Sequence, residues 1–250
     1  MSTYRAWRPP PIEWQLDNDE IHIWRVALQA PSASVLDKMS STLASDEIDR
    51  VKHLRLQRDR ERFIVARGIL RILLGRYLGC VPQALHFTYN MYGKPSLDNA
   101  ACRSPLSFNL SHAGGLALVA VTQHRALGVD IEPIRDDLAL GQIADHFFSQ
   151  AEQVSLRALP PTQQIEAFFK VWTRKEAYIK ARGEGLSLAL DSFDVSVVPG
   201  ASAALLETRD DPAHAGRWTL EDLWPTPRYV AALAYEGRGC RINCWQWRWS

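Results

Sequence analysis

An acidic pair in the second half of the chain could bind a cation. In G-V-D-I-E, residues 128–132, Asp130 and Glu132 lie two positions apart on a predicted strand, so both carboxylates point to the same face. Adjacent carboxylates repel each other, and either solvent or a divalent cation must screen them. Mg²⁺ prefers one or two carboxylates completed by water and substrate phosphates. If Glu176 of a later helix adds a third oxygen ligand, the cluster predicts an octahedral metal site. The alternative is a solvated acidic surface.

A predicted helix brings both signs of charge to one stripe. Trp172, Glu176 and Lys180 recur every four residues within residues 170–185. A glutamate four residues before a lysine is also a common surface ion pair, which stabilises an exposed helix by about 0.2–0.5 kcal/mol. From the spacing alone, a catalytic stripe and a solvated face both remain open.

The segment N-L-S-H-A-G-G, residues 109–115, ends a predicted strand in a glycine turn that could bind a phosphate. It offers the Ser111 hydroxyl, the His112 imidazole and free backbone N–H groups at one edge. Ser111 and His112 are not expected to form a nucleophile–base pair, because neighbours on a strand face opposite ways. A hairpin turn with solvated side chains is the alternative. In G-K-P, residues 93–95, the proline gives Lys94 a fixed place beside a turn.

The elements that must position these groups form two similar series. The first series runs strand 21–28, helix 45–78, and strands 84–90, 105–112 and 116–122. The second runs strand 128–134, helices 138–158 and 162–182, and strands 193–198, 216–222, 228–235 and 241–249. We therefore expect an α+β fold of two pseudo-symmetric halves, 1–122 and 123–250. Each half should be a small antiparallel sheet packed with helices, with the active site at the seam.

The overall composition indicates an ordinary globular protein. The chain has 250 residues, of which 46% are hydrophobic and 23% charged. Its apolar runs are too short to span a bilayer and its first residues lack the apolar region of a signal peptide, so we expect no membrane partner and a cytoplasmic location. The four cysteines show no metal-binding spacing and are expected to be free thiols. They are Cys80, Cys102, Cys240 and Cys244.

Basic side chains are concentrated between residues 50 and 76. They are Arg50, Lys52, Arg55, Arg58, Arg60, Arg62, Arg67, Arg71 and Arg76. Such an excess predicts either an anion site or a solvated face, although a net charge of +1 does not favour a nucleic-acid binder. One alternative is a non-catalytic protein that holds nucleic acid with this helix. A second is a Mg²⁺-dependent nucleotide phosphohydrolase.

Five motifs in a fixed order resemble the Sfp-type 4′-phosphopantetheinyl transferases, the larger two-half members of that family. They are G-K-P (93–95), F-N-L-S-H (108–112), G-V-D-I-E (128–132), F-F-S-x-x-E (147–152) and W-x-x-K-E-A-x-x-K (172–180). The resemblance implies transfer of the phosphopantetheine arm of coenzyme A to a serine of an apo acyl or peptidyl carrier protein. Adenosine 3′,5′-bisphosphate would be released. It also implies Mg²⁺, with Mn²⁺ as an alternative, and a monomer that binds no nucleic acid.

The resemblance also implies roles for single residues. Asp130, Glu132 and Glu176 are expected to bind the metal, and the base that activates the acceptor serine is expected to be Glu176 or a water that Glu176 holds with the metal. Asp130 and Lys180 join Glu176 as catalytic residues, and Lys180 would neutralise the phosphates and the leaving group. Trp172 is expected to pack the helix against the strands.

The coenzyme A contacts implied by the resemblance come mainly from the first half. Arg50 and Arg62 are expected to bind the 3′-phosphate and Lys94 another phosphate. His112 is expected to contact the pyrophosphate. Asn109, Ser111 and Lys180 complete the predicted set.

Overall fold

The chain forms six α-helices and eleven β-strands within residues 5–98 and 105–249, the part that the computed structural model describes. The strands are β1 Glu20–Ala27, β2 Phe87–Tyr89, β3 Pro95–Leu97, β4 Leu106–Ala113, β5 Leu116–Gln123, β6 Leu127–Pro133, β7 Phe193–Val195, β8 Leu205–Thr208, β9 Trp218–Thr226, β10 Tyr229–Glu236 and β11 Arg241–Gln246. The helices are α1 Ala33–Ser40, α2 Ser45–His53, α3 Gln57–Leu78, α4 Leu140–Phe147, α5 Gln150–Arg157 and α6 Pro161–Arg182. Cys102 lies outside the described residues.

Two sheets form the centre of the molecule. The first has the strand order β11-β1-β5-β4 and the second the order β6-β10-β9, and two short hairpins pair β2 with β3 and β7 with β8. All neighbouring strands are antiparallel except β1 and β11, which are parallel. The α+β fold with small, largely antiparallel sheets is the one predicted.

The two sheets pack against each other and each carries a long helix on its outer face. Ile21 and Ile23 of β1 point into the apolar cluster between the sheets, whereas Trp24 and Val26 face α3. Val129 on β6 likewise enters the cluster between the sheets. The alternating pattern of a strand therefore leaves the acidic face of β6 towards α6.

Helix boundaries differ from the sequence prediction where the backbone becomes extended. The helix predicted over 45–78 breaks at Leu54, whose ψ of 130° ends α2, and Arg60 donates to the freed Leu54 carbonyl at 2.7 Å. The helix predicted over 138–158 breaks at Phe148, because Ser149 caps α5. Gly79 ends α3 in a left-handed conformation (φ 65°), as predicted. Helix α1 and strands β3 and β8 were absent from the prediction.

The C-terminal strand completes the first sheet. Because β11 pairs with β1, residues near the end of the chain return to the half in which the chain began. Trp245, Trp247 and Trp249 alternate along the chain and pack on the α3 side of that sheet. The division between residues 122 and 123 stays a prediction. Within the described ranges, none of the helices combines the length and the apolar character needed to cross a membrane.

Candidate active site

Helix α6 lies directly on β6 because position 128 has no side chain. A Cβ atom on Gly128 would be 2.8 Å from the Lys180 carbonyl carbon and would overlap the carbonyl oxygen of Ala177 and the amide of Ala181. Glycine is the residue that permits such a close approach of two backbones. The helical stripe and the acidic strand of the sequence analysis are thus brought into contact.

Lys180, Asp130 and Ser111 form a closed triangle of polar contacts. The Lys180 ammonium lies 2.5 Å from Asp130 Oδ1 and 2.9 Å from Ser111 Oγ, and Ser111 Oγ donates to the same Asp130 oxygen at 2.9 Å. Asp130 is only 3% exposed, and its second oxygen, Oδ2, is buried without a hydrogen-bond partner. Lys180 therefore neutralises a carboxylate that still has one unused oxygen.

The three predicted metal ligands influence each other's charge. Burial raises the pKa of Asp130, against the opposing effect of Lys180. Burial, followed by repulsion from Asp130, raises the pKa of Glu132 to about 7, and Glu176 adds to the repulsion. Burial and then Asp130 also raise the pKa of Glu176. The three carboxylates lie near enough to repel one another, as the convergence of β6 and α6 requires.

The donor set suits a hard divalent cation. Carboxylate oxygens are the ligands that Mg²⁺ binds, and Asp130 Oδ2 is a buried oxygen that still needs a partner. Across the described part of the chain, no three His, Cys, Asp or Glu side chains are already grouped as a complete metal cluster. The site therefore has oxygens suited to a metal, one of which, Asp130 Oδ1, is bonded to Lys180.

Basic groups lie near one another close to Lys180. His112 has an exposed side chain, yet partial burial of its ring, followed by the charges of Lys180, Arg62 and Arg50, lowers its pKa. Arg50 is exposed, and its Cζ atom lies 5.6 Å from the centre of the Phe63 ring. These side chains come from α2, α3, β4 and α6, so they gather only in the folded chain.

Two adjoining cavities provide room for an extended ligand. A cavity of about 270 Å³ is lined by Tyr92, Gly93, Lys94, Pro95, Asn109, Leu110, Glu176, Ile179, Lys180, Gly183 and Gly185. A second, of about 410 Å³, is lined by Asp46, Glu47, Arg50, Phe63, Arg67, Tyr89, Gly93 and Pro95. Gly93 and Pro95 form a wall of both, so the two cavities together form one cleft in which the G-K-P motif lies between Glu176 and Arg50.

Lys94 and Asn109 link the two halves in this structure. The Lys94 ammonium donates to the carbonyls of Leu127 (3.1 Å) and Ala181 (2.9 Å), and burial lowers its pKa to about 8. Asn109 Oδ1 accepts a hydrogen bond from Val129 N at 2.8 Å. Both residues line the smaller cavity, and their contact with coenzyme A stays a prediction.

Trp172 lies between α6 and its neighbours. Its ring contacts Phe147 of α4 edge-on at 5.6 Å and lies parallel to Phe168 of its own helix at 6.1 Å. Trp172 also packs against the apolar cluster that includes Leu220 of β9 and Val230 of β10, which agrees with the expectation that it packs the helix against the strands.

Buried ion pairs that the sequence analysis did not identify hold α6 in place. Lys175 Nζ lies 2.8 Å from Glu152 Oε2 and donates to the carbonyls of Leu190 and Phe193. Both charged side chains are buried. Glu152 also accepts from Ser149 N at 3.0 Å, so the F-F-S-x-x-E motif is a capping box joined to α6. The Ser-x-x-Glu spacing was the available signal.

Comparison with known proteins agrees with the motifs. A family model described as "4′-phosphopantetheinyl transferase superfamily" matches residues 126–234, and one described as "4′-phosphopantetheinyl transferase, N-terminal" matches residues 28–124. The 4′-phosphopantetheinyl transferase HetI of Nostoc sp. (strain PCC 7120) is 39% identical, over 97% of this chain and 98% of its own. The transferase Sfp of Bacillus subtilis (strain 168) is 29% identical, over 64% and 68%.

Among solved structures, the holo-[acyl-carrier-protein] synthase of Thermotoga maritima matches 46% of this chain and 64% of its own, with 16% identity and a TM-score of 0.37. The nearly full-length similarity to HetI, together with the two family models, defines the class. The chain belongs to the 4′-phosphopantetheinyl transferase family, in its two-half Sfp-type form, and is an enzyme.

Proposed function

We propose that this enzyme transfers the 4′-phosphopantetheine arm from coenzyme A to a serine of an apo acyl or peptidyl carrier protein and releases adenosine 3′,5′-bisphosphate. The main supporting observation is the Lys180–Asp130 pair, which lies beside Glu132 and Glu176 and close to the basic groups around His112. A pyrophosphate needs both features: cations for its charge, and carboxylates to hold a metal.

Asp130, Glu132 and Glu176 would hold Mg²⁺, or Mn²⁺ in its place. The ion would neutralise the pyrophosphate of coenzyme A. Lys180 lies where it can pair with the phosphates, because its side chain is 29% exposed while its ammonium contacts Asp130. His112, Arg62 and Arg50 add positive charge near Lys180 and fit the remaining phosphates.

The reaction requires one bond to form and one to break. The carrier serine oxygen attacks the phosphorus attached to the pantetheine arm, and the bond from that phosphorus to the bridging oxygen breaks. The electron pair leaves with adenosine 3′,5′-bisphosphate, whose charge Lys180 stabilises. The serine proton passes to Glu176, directly or through one water. The place of Glu176 on the cavity wall beside Lys180 suits it to this role as general base.

Burial of basic residues argues against the nucleic-acid alternative. Arg67 and Arg71 of the 50–76 stretch pair with Glu47 at 2.5 Å and are buried, so they cannot meet a phosphate backbone. No feature of the site favours a nucleotide phosphohydrolase over the transferase. We place the enzyme in the cytoplasm, since Cys240 and Cys244 are free thiols. A single chain supplies both walls of the cleft, which suits a monomer.

The function is tested by incubating the protein with coenzyme A, Mg²⁺ and apo carrier proteins of the acyl and peptidyl classes, followed by intact-mass spectrometry. We expect the carrier to gain one phosphopantetheine arm, and the gain to disappear with EDTA. A carrier whose serine is replaced by alanine is the matched control. Unmodified carriers of both classes, with a protein that does not bind coenzyme A, would contradict the proposal.

A further inference from the structure

Tyr229, at the start of β10, joins the two sheets next to the site. Its hydroxyl oxygen accepts a hydrogen bond from the backbone N–H of Gly115 at 3.2 Å. Gly115 lies in the turn between β4 and β5, three residues after His112. The bonded residues are 114 positions apart in sequence, and Tyr229 belongs to none of the five motifs.

The turn is shaped around the phenol ring. Gly114 has a φ of 59°, a left-handed conformation that residues with a side chain rarely adopt. A Cβ atom at this position would also overlap the Tyr229 hydroxyl and would lie 3.3 Å from its Cζ. Two separate observations, the hydrogen bond and the missing side chain, therefore indicate that the turn and Tyr229 fit each other.

The contact connects the turn after β4, the strand that bears His112, to β10, the strand that pairs with Glu132-bearing β6. On β10, Tyr229 is in register with Pro133 of β6, and Val230 is in register with Glu132. On the other side, His112 is one residue from the end of β4. A movement of the turn would change the position of His112 relative to the acidic cluster.

We propose that Tyr229 is a positioning residue that holds the turn at residues 113–115 and thereby fixes His112 beside the metal-binding carboxylates. This inference rests on the proposed function, in which His112 contacts the pyrophosphate of coenzyme A. That contact is made in the bound substrate and in the transition state alike. Its weakening therefore raises KM for coenzyme A and leaves kcat unchanged.

The test compares Tyr229→Phe with wild type in the carrier-modification assay. Loss of one neutral hydrogen bond is expected to raise KM for coenzyme A about three- to tenfold, with kcat changed less than about twofold. Tyr235→Phe is the matched control, because Tyr235 lies on the same strand but is buried between the sheets. It should leave KM at the wild-type value.

A double-mutant cycle with His112→Ala separates positioning from a general loss of structure. If Tyr229 acts through His112, Tyr229→Phe should not raise KM further once His112 is absent. An unchanged KM in the single variant would overturn the inference. So would an equal rise in both backgrounds, or the same rise in Tyr235→Phe. An inactive wild type would instead overturn the proposed function.

A second variant covers the case in which Tyr229→Phe does not fold. Gly114→Ala leaves the phenol in place but forces the turn away from it. The inference predicts that Gly114→Ala raises KM when His112 is present and does not raise it further in the His112→Ala background. A wild-type KM in a folded Gly114→Ala protein would overturn it.

Discussion

Lys180 and Glu176 share one stripe of α6, but Lys180 bonds across to Asp130 of β6, with 2.5 Å between Nζ and Oδ1. The pair that the spacing suggested within one helix is thus replaced by a pair between two elements. This arrangement leaves Glu176 beside the cleft and places a cation next to the two acids of the strand.

Replacing Lys180 by Met should lower kcat/KM for transfer by about two to three orders of magnitude, because a group that stabilises developing charge is lost. The measurement is steady-state transfer to an apo carrier protein. Lys170→Met is the control, because Lys170 is on the same helix but contacts Glu166 and Trp224. Equal activity of Lys180→Met and Lys170→Met would contradict the role of Lys180.

Gly128→Ala should separate α6 from β6. The added Cβ meets backbone atoms of α6, which cannot rotate away, so we expect a loss of about 1–3 kcal/mol in the free energy of unfolding. Transfer activity should fall more than stability alone explains, because Lys180 and Asp130 move apart. Chemical denaturation and transfer kinetics measure the two effects. Gly141→Ala, where a Cβ meets nothing within 4 Å, is the control, and equal effects of both would be inconsistent with close packing at Gly128.

Glu132 should make the metal-free protein less stable as pH rises. Its pKa is about 7 in the folded protein against an ordinary 4.5, so the folded state holds a proton that the unfolded state has lost. Its contribution to stability is fully present below pH 4.5 and disappears as pH rises through about 7.

The measurement is the difference in unfolding free energy between wild type and Glu132→Gln in EDTA, taken at several pH values. Wild type should become less stable relative to Glu132→Gln as pH rises across this range. Mg²⁺ should stabilise wild type more than the variant at pH 7.5. A difference that stays constant with pH would show that Glu132 titrates normally.

Lys175→Met should destabilise the fold by about 3–5 kcal/mol, because Glu152 would be left buried without its cation. Thermal or chemical denaturation measures this loss. Lys52→Met removes an exposed ion pair with Asp49 and should have no measurable effect. Similar effects of the two substitutions would mean that the Glu152 pair does not hold α6.

Much of the fold could be predicted because its long elements have regular apolar periodicity. The strand at 128–134 and the helix at 162–182 were located within one residue at each end, and the acidic side chains were given the correct face. The short elements α1, β3 and β8 contain too few residues for a period to appear. The parallel pairing of β11 with β1 depends on contacts about 220 residues apart, which no local pattern records.

The residues of the site also fall into those that local spacing indicated and those that only long-range packing brings together. Asp130, Glu132, Glu176 and Lys180 could be proposed because their spacing places them on one face of an element. The hydrogen bonds of Lys94 to Ala181 and of Tyr229 to Gly115 join residues 87 and 114 positions apart. Such contacts follow from how the sheets and helices pack, so the sequence alone did not indicate them.

The most direct test of the account is a substitution of Glu176, the residue to which both the metal site and proton removal are assigned. Glu176→Gln keeps the size of the side chain and removes its charge. Glu166→Gln is the matched control, since Glu166 lies on the same helix and is half exposed. Both variants are compared with wild type by intact-mass analysis of an apo carrier protein with coenzyme A and Mg²⁺. We predict that Glu176→Gln melts within a few degrees of wild type and transfers at least about a hundredfold more slowly, whereas Glu166→Gln transfers normally. Wild-type transfer by Glu176→Gln would contradict the account.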